Sequence, residues 1–289
     1  QLAALLMGPS LSAKQGELWS DQAFAPGMGD LPRMEIKLRA QEMVALDQLS
    51  LGSASLTFTS APGLVSFTQL DALMGAARIN GEVSLRRDGA NGFLIGKLTT
   101  EGVPLPSNFA DGSFALDGEF TSSGRSAQSL MSGLAGTARL RLSALRFNAL
   151  DPSAPARVFA EAEADKLGIG EAAYLSALRR ELEKGSFTLS QRDALVTLAG
   201  GVARISAPQL SASLDLRTLS SEARLLLPVQ GVSARPQEPT PIVAIVWRGP
   251  LQAMKREIEG ASFVTVLVAH ALEREQARMQ SLDEDIAER

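Results

Sequence analysis

Cysteine is absent from the 289 residues, and histidine and tyrosine occur once each. The first absence excludes disulfides, thiolate catalysis and cysteine-ligated zinc, while leaving the compartment open. A single histidine excludes a histidine-rich metal site. Aromatics are only 5% against 45% hydrophobic residues, so the apolar surface is mostly Leu, Ala, Val and Ile. Excess positive charge is also missing: the net charge is −4 and the pI near 5.3, which argues against nucleic acid as a partner. Long hydrophobic runs are lacking too. The best, Phe263 to Leu272, contains Thr265 and His270 and is about half of the roughly 20 residues a membrane-spanning helix needs. The chain opens at Gln1 without an initiator methionine or a basic leader. It reads as a mature form or an excised segment whose missing part carried a signal or anchor.

What is present is a two-residue period, repeated many times. Met34-Glu-Ile36-Lys-Leu38, Leu56-Thr-Phe58, Val83-Ser-Leu85, Phe114-Ala-Leu116, Leu140-Arg-Leu142, Phe187-Thr-Leu189, Leu210 to Leu216 and Ala223-Arg-Leu225-Leu-Leu227 each place apolar side chains on one face and polar ones on the other. Turn signals separate them at Asn80-Gly81, Asp88-Gly89, Asn91-Gly92, Asp111-Gly112 and Gly200-Gly201. Successive hairpins and a mainly antiparallel sheet follow.

Helical signals are fewer. Ser126 caps a short helix through Met131 that ends near Gly133 or Gly136. A helical insert over about 157–184 carries Leu175, Leu178 and Leu182 on one stripe, with Gly185 as its stop. A C-terminal amphipathic helix, 261–289, carries the stripe Val264, Val268, Leu272, Met279, Leu282 and Ile286. Six acids against three arginines from Glu273 to Arg289 disfavour an anionic membrane surface and favour docking on protein. The proline-rich stretch Arg235 to Pro241 reads as an extended connector.

On the order of ten one-sided strands expose more apolar sheet than these helices cover. Either a second sheet closes over it or the face stays open as a groove, and alternation is the same in both. Catalytic patterns are weak. His270 sits between Val268 and Leu272 as an ordinary helix residue, and no Gly-x-Ser-x-Gly elbow occurs. Gly168-Ile-Gly170-Glu-Ala-Ala173 follows a polar segment rather than a buried strand, so it reads as a helix-start loop, not a dinucleotide fingerprint. Asp283-Glu-Asp285 reads as a solvated helix face.

The stretch Phe114 to Arg146, a strand, Ser122-Ser-Gly124-Arg125-Ser126, a short helix and a second strand, resembles the signature of the C-terminal domain of the AsmA family. So does the hairpin from Leu73 to Leu85, the strand run ending in Gly249-Pro250, and the tail from Leu267, which is similar to those of alphaproteobacterial members. The segment from Leu18 to Met43 looks like the family's opening. Family members are regarded as bridge-like lipid carriers of the Gram-negative envelope. The resemblance implies a mainly β fold with a few helices: a long curved antiparallel sheet forming an open, apolar-lined groove, short helices at its edge, and a C-terminal helix. Residues 1–260 would form the groove domain and 261–289 the helix. It further implies a periplasmic location, with an inner-membrane anchor N-terminal to Gln1, and phospholipid or another acyl-chain lipid as ligand.

The expected lining is Leu140, Leu142, Phe187, Leu189, Leu210, Leu214, Leu216, Leu225 and Leu227, with Arg139, Arg141, Asp215 and Arg217 facing outward. Arg125 would be a rim contact for headgroups or an anchor of its turn. Val268, Leu272, Met279 and Leu282 would face an envelope protein partner. No catalytic residue, metal or cofactor is implied. The alternative from another class is a closed β scaffold in envelope biogenesis.

Overall fold

Alternating segments joined by tight turns fold as antiparallel hairpins. The computed structural model describes residues 18–24, 31–45, 49–229, 241–251 and 253–287; most of the proline-rich connector lies outside them. Among the described residues the fold is mainly β, with one open antiparallel sheet of thirteen strands and four helices, the last C-terminal. In chain order the strands are β1 Met34–Ala45, β2 Leu49–Ala61, β3 Leu64–Met74, β4 Ala77–Asp88, β5 Asn91–Pro104, β6 Ser113–Gly124 and β7 Ala135–Leu142. After β8 Leu145–Asn148 and β9 Ser186–Leu189 come β10 Arg192–Ala199, β11 Val202–Ala207, β12 Leu210–Asp215, β13 Ser220–Pro228, β14 Ile242–Pro250 and β15 Lys255–Glu259. The sheet order is β1 through β7, then β10 through β15, so its two ends do not pair; β8 and β9 form a separate two-stranded sheet.

Contacts divide the chain into two units. The first holds residues 1–145, 190–222 and 249–254; the second holds 146–189, 223–248 and 255–289. The C-terminal helix groups with the helical insert and most of β14.

In the first unit, Gly200 and Gly201 at φ 59° and 74° make the β10–β11 turn, the conformation a two-residue hairpin loop requires. Asp88-Gly89 likewise joins β4 to β5. Asn80-Gly81 is no turn: it lies inside β4. A Cβ at Gly81 would stand 2.6 Å from the Lys97 carbonyl and 3.3 Å from the Leu98 side chain, so close packing selects glycine there. Helix α1 (Ala127–Ser132) begins in a capping box, with the Ser126 hydroxyl accepting from the Ser129 N–H and the Ser129 hydroxyl accepting from the Ser126 N–H.

In the second unit, helices α2 (Ala154–Glu163) and α3 (Glu171–Leu182) pack on each other and on α4 (Ala261–Ala287). Tyr174, Leu178, Leu182, Leu225, Ile245, Phe263 and Leu267 are each at most 1% exposed. Phe147 lies between Phe187 and Trp247, with ring centroids at 6.3 and 5.6 Å. Glu181 is buried with them at 1% exposure. Its carboxylate accepts from Lys184, from Arg157 Nε at 2.9 Å and from Arg180 Nε at 3.3 Å. Those hydrogen bonds, the one from Lys184 foremost, hold its pKa down to about 2.

Candidate functional site

The first unit offers a broad sheet surface as the candidate site. Tracing Cα partners across the strands gives a row of Ile36, Phe58, Phe67, Val83, Gly96, Phe120, Gly136, Leu198, Ala203 and Leu214. Two residues along, the next row is Gly81, Leu98, Gly118, Ala138, Val196, Ile205 and Ala212. The third reads Ala72, Ile79, Thr100, Leu116, Leu140 and Ala194. Rows two residues apart share a face. The interleaved row, Glu82, Lys97, Glu119, Thr137, Thr197, Arg204 and Ser213, belongs to the other one. One side of the sheet is therefore apolar across successive strands and the other is hydrophilic.

Glycines give the apolar side low relief. A Cβ on Gly96 would run into the Phe120 ring, whose Cε atoms stand 2.9 Å from that position. The ring thus lies over the neighbouring strand instead of standing up from it. Gly118 makes the same kind of close approach to Ala138. Near one set of strand ends, Phe24 and Leu130 of α1 pack with Leu85 and Leu94, and Leu31 packs with Phe58 and Val65. Further along, Leu98, Phe120, Leu198, Ile205 and Leu214 remain half-buried. Among the polar groups on this face, Thr100 Oγ1 is buried with no hydrogen-bond partner among the described residues.

The hydrophilic side carries shallow depressions. One of about 510 Å³ is walled by Thr99, Asp117, Arg139, Arg141 and Asp193, and another of about 620 Å³ by Glu82, Lys97, Glu119 and Thr137. Their charges oppose one another across strands, as in the Arg141–Asp193 pair at 3.3 Å. Such a surface is well suited to water and poorly suited to an apolar ligand.

Leu140, Leu142, Leu210 and Leu214 stand on the apolar face, and the first three are 4–5% exposed. Leu216 follows β12; its carbonyl accepts from Trp19 Nε1 at 2.9 Å. Phe187 and Leu189 lie in the two-stranded sheet, and Leu225 and Leu227 are 0% and 2% exposed in the second unit. These four belong to the second unit. Arg139 and Arg141 lie on the hydrophilic face. Asp215 and Arg217 pair with each other at 2.6 Å, and the Arg217 hydrogen bond leads the causes that lower the Asp215 pKa to about 2. Arg125 donates through Nε to Asn91 Oδ1 at 3.1 Å, a contact that ties its turn to the start of β5.

On α4, Phe263, Val264, Leu267 and Ala271 are buried. His270 meets the Phe159 ring edge-on at 5.2 Å, and Arg274 Nη2 donates to the Ala162 carbonyl at 2.8 Å. Val268 is half-buried, whereas Leu272, Met279 and Leu282 are 55%, 52% and 54% exposed. The docked stripe is thus rotated by roughly one residue, about 100°, from the apolar stripe read in the sequence. Gly170 is the N-cap of α3, and nothing lies within 4 Å of a Cβ placed at Gly168 or Gly170.

Sequence reading missed Arg192, which takes the register of the apolar face as the partner of Leu142. The signal was available: Arg192, Ala194, Val196 and Leu198 share one phase, but Leu195, 56% exposed on the opposite face, conceals the alternation.

Among the described residues, no group of three or more metal-ligating side chains gathers and no helix is long and apolar enough to cross a membrane. Comparison with known proteins finds no matching family model, no matching curated protein and no matching solved structure.

Proposed function

We propose that this chain is the periplasmic part of an inner-membrane-anchored AsmA-like protein, and that the apolar face of its first unit receives lipid acyl chains. In this reading it supports phospholipid transport and outer-membrane assembly. One observation carries the reading: apolar residues stay in register from β2 to β12 while the reverse side is charged and wet. A surface of that kind, left uncovered, is unfavourable in water. Covering it with hydrocarbon gains roughly 0.8 kcal/mol for each methylene buried. Aliphatic side chains, a reclining Phe120 ring and glycines offer no knob or pocket that would lock a chain in place, so an acyl chain slides. The resemblance of the Phe114 to Arg146 segment to the AsmA signature supports the same assignment. The exposed stripe of α4 would then meet an envelope protein.

The test is native mass spectrometry of the chain after mild extraction from a Gram-negative host. Phospholipid should leave with the protein and be lost on delipidation. A chain that emerges lipid-free and stays so after incubation with vesicles is a scaffold, not a carrier.

A further inference from the structure

Charge is excluded from the interior of the apolar face but reappears where its strands end. On the register shared by the apolar rows, the charged residues among those described are Arg87 at one set of strand ends, and Glu42 and Arg192 at the other. Arg87 is occupied: its guanidinium lies 5.3 Å from the Phe24 ring centroid and donates to the Gly89 carbonyl at 2.9 Å. Glu42 is exposed on the terminal strand β1.

Arg192 differs from both. It is half-buried, pairs in register with Leu142, and continues along β10 into Ala194, Val196 and Leu198. Its hydrogen bond is a single contact from Nη1 to the Pro208 carbonyl at 3.3 Å, whereas a guanidinium carries five N–H donors. The neighbouring carboxylate, Asp193, points to the opposite face and pairs with Arg141. A cation at the margin of a greasy surface, with no carboxylate paired to it among the described residues, is matched by an amphiphile whose anionic group sits beside its hydrocarbon.

We propose that Arg192 is the headgroup-binding residue of this face, and that it selects lipids with a net-anionic phosphodiester headgroup. The proposal rests on the acyl-chain reading above and adds the ligand's class and its polarity on the sheet. The headgroup lies at the Arg192 end, with the tail running along β10 toward Leu198. The dimensions agree. Six residues of strand at about 3.3 Å each span about 20 Å, and half of a bilayer's hydrocarbon core of roughly 30 Å is about 15 Å. Arginine suits the task better than lysine because its planar fork meets two phosphate oxygens at once. A plain stability role, in which the stem covers apolar surface and the head reaches water, makes no distinction between headgroups. Selectivity therefore separates the two.

The experiment loads the full chain from vesicles containing equal phosphatidylglycerol and phosphatidylcholine and reads bound lipid by native mass spectrometry. The wild type should retain phosphatidylglycerol over phosphatidylcholine by roughly threefold to tenfold, between the effect of an exposed ion pair and that of a buried charge-assisted bond. R192Q should lose the preference and keep its total lipid, and R192K should keep only part of the preference. K97Q, on the hydrophilic face, should change nothing. If R192Q fails to fold, R192K alone decides, since an undiminished preference there contradicts the fork. Equal retention of the two lipids by the wild type, or a preference that survives R192Q, overturns the headgroup assignment and leaves acyl binding standing. A wild type that takes up no lipid overturns both. A thermal shift produced by inorganic phosphate alone and removed by R192Q, without any lipid preference, would make this a free-anion site and overturn the lipid one.

Discussion

Replacing Leu214 with glutamate tests the proposed face most sharply, because the change is nearly silent until an acyl chain arrives. Leu214 is half-buried, in register with Ala203 and through it with Leu198. Without a ligand the new carboxylate keeps access to water, and folding should lose only about 1 kcal/mol. Once hydrocarbon covers it, the group has no cation beside it and is better neutralised than buried charged. Protonating a glutamate of pKa about 4.3 at pH 7 costs about 3.7 kcal/mol, and burying the neutral acid without a partner adds about 1 to 3 kcal/mol. Lipid affinity should therefore fall by at least a few hundredfold at pH 7. The sign follows from a pKa raised in the lipid-bound state: the deficit is largest at high pH and shrinks as pH falls toward 4.3. At pH 5 the protonation cost is only about 1 kcal/mol.

The control is Thr197→Glu, exposed on the other face of the same region. Asp215 would be a poor control, since its carboxylate already receives the Arg217 N–H at 2.9 Å and the Arg217 side chain at 2.6 and 2.8 Å. Leu225, at 0% exposure, would report unfolding instead of lipid. Fluorescent-lipid titration at pH 7 and pH 5, with melting temperatures alongside, gives the answer. Equal affinity of the two variants at equal stability, or a deficit indifferent to pH, refutes the reasoning.

Glu181→Ala should destabilise the second unit by about 3 kcal/mol at pH 7, because it leaves Arg157, Arg180 and Lys184 without their shared carboxylate. The native contribution is fully present above pH 4.5 and lost as pH falls through about 2, so urea titrations of the wild type and variant should converge across that window. Gly118→Val should lower the melting temperature by the equivalent of about 1 to 3 kcal/mol through its collision with Ala138, while Gly168→Ala, with open space around it, should be neutral or slightly stabilising. Along α4, Leu267→Ala should cost about 2 to 4 kcal/mol in denaturant unfolding, since Leu267 is 1% exposed. Leu282→Ser, at a residue 54% exposed, should change stability by less than about 0.5 kcal/mol; a large loss there would mean that the outer half of the helix packs on the fold.

The period of two made the antiparallel sheet legible, though not its openness, since Val83-Ser-Leu85 and Leu140-Arg-Leu142 can satisfy their two kinds of side chain in no other regular way. Ser126 announced α1 for an equally local reason. Information held between strands was hidden. Asn80-Gly81 looks like a turn because the pressure that selects Gly81 comes from Lys97 and Leu98 on the next strand. Alternation also says that one face is buried without saying against what. Leu225 and Leu214 read alike in sequence, yet one lies in the closed core of the second unit and the other on a half-open face. On α4 the docked stripe includes Arg274, whose partners are the Ala162 carbonyl and the Glu163 carboxylate at the end of α2 and Asp165 just beyond it. A hydrophobic wheel counts that arginine as solvent-facing and so gives no sign of which side docks within this chain.

The two faces of the first unit constrain each other. A sheet whose apolar residues lay on both sides would be buried on both, as β14 is, with Val243 to Trp247 all at most 2% exposed. In β4 to β7 the interleaved register holds Glu82, Lys97, Glu119 and Thr137 instead, and burying those charges would cost more than the apolar rows could return. That side must therefore stay in water, and whatever relieves the apolar side has to approach from one direction only. A protein domain doing so would need a matching relief, but Gly96, Gly118 and Gly136 leave few projections for side chains to interlock with, and the Phe120 ring lies flat among them. A flexible hydrocarbon needs no matching relief. In the proposed reading it adapts to this low floor and slides along it, and it would require polar chemistry only where it ends, at Arg192.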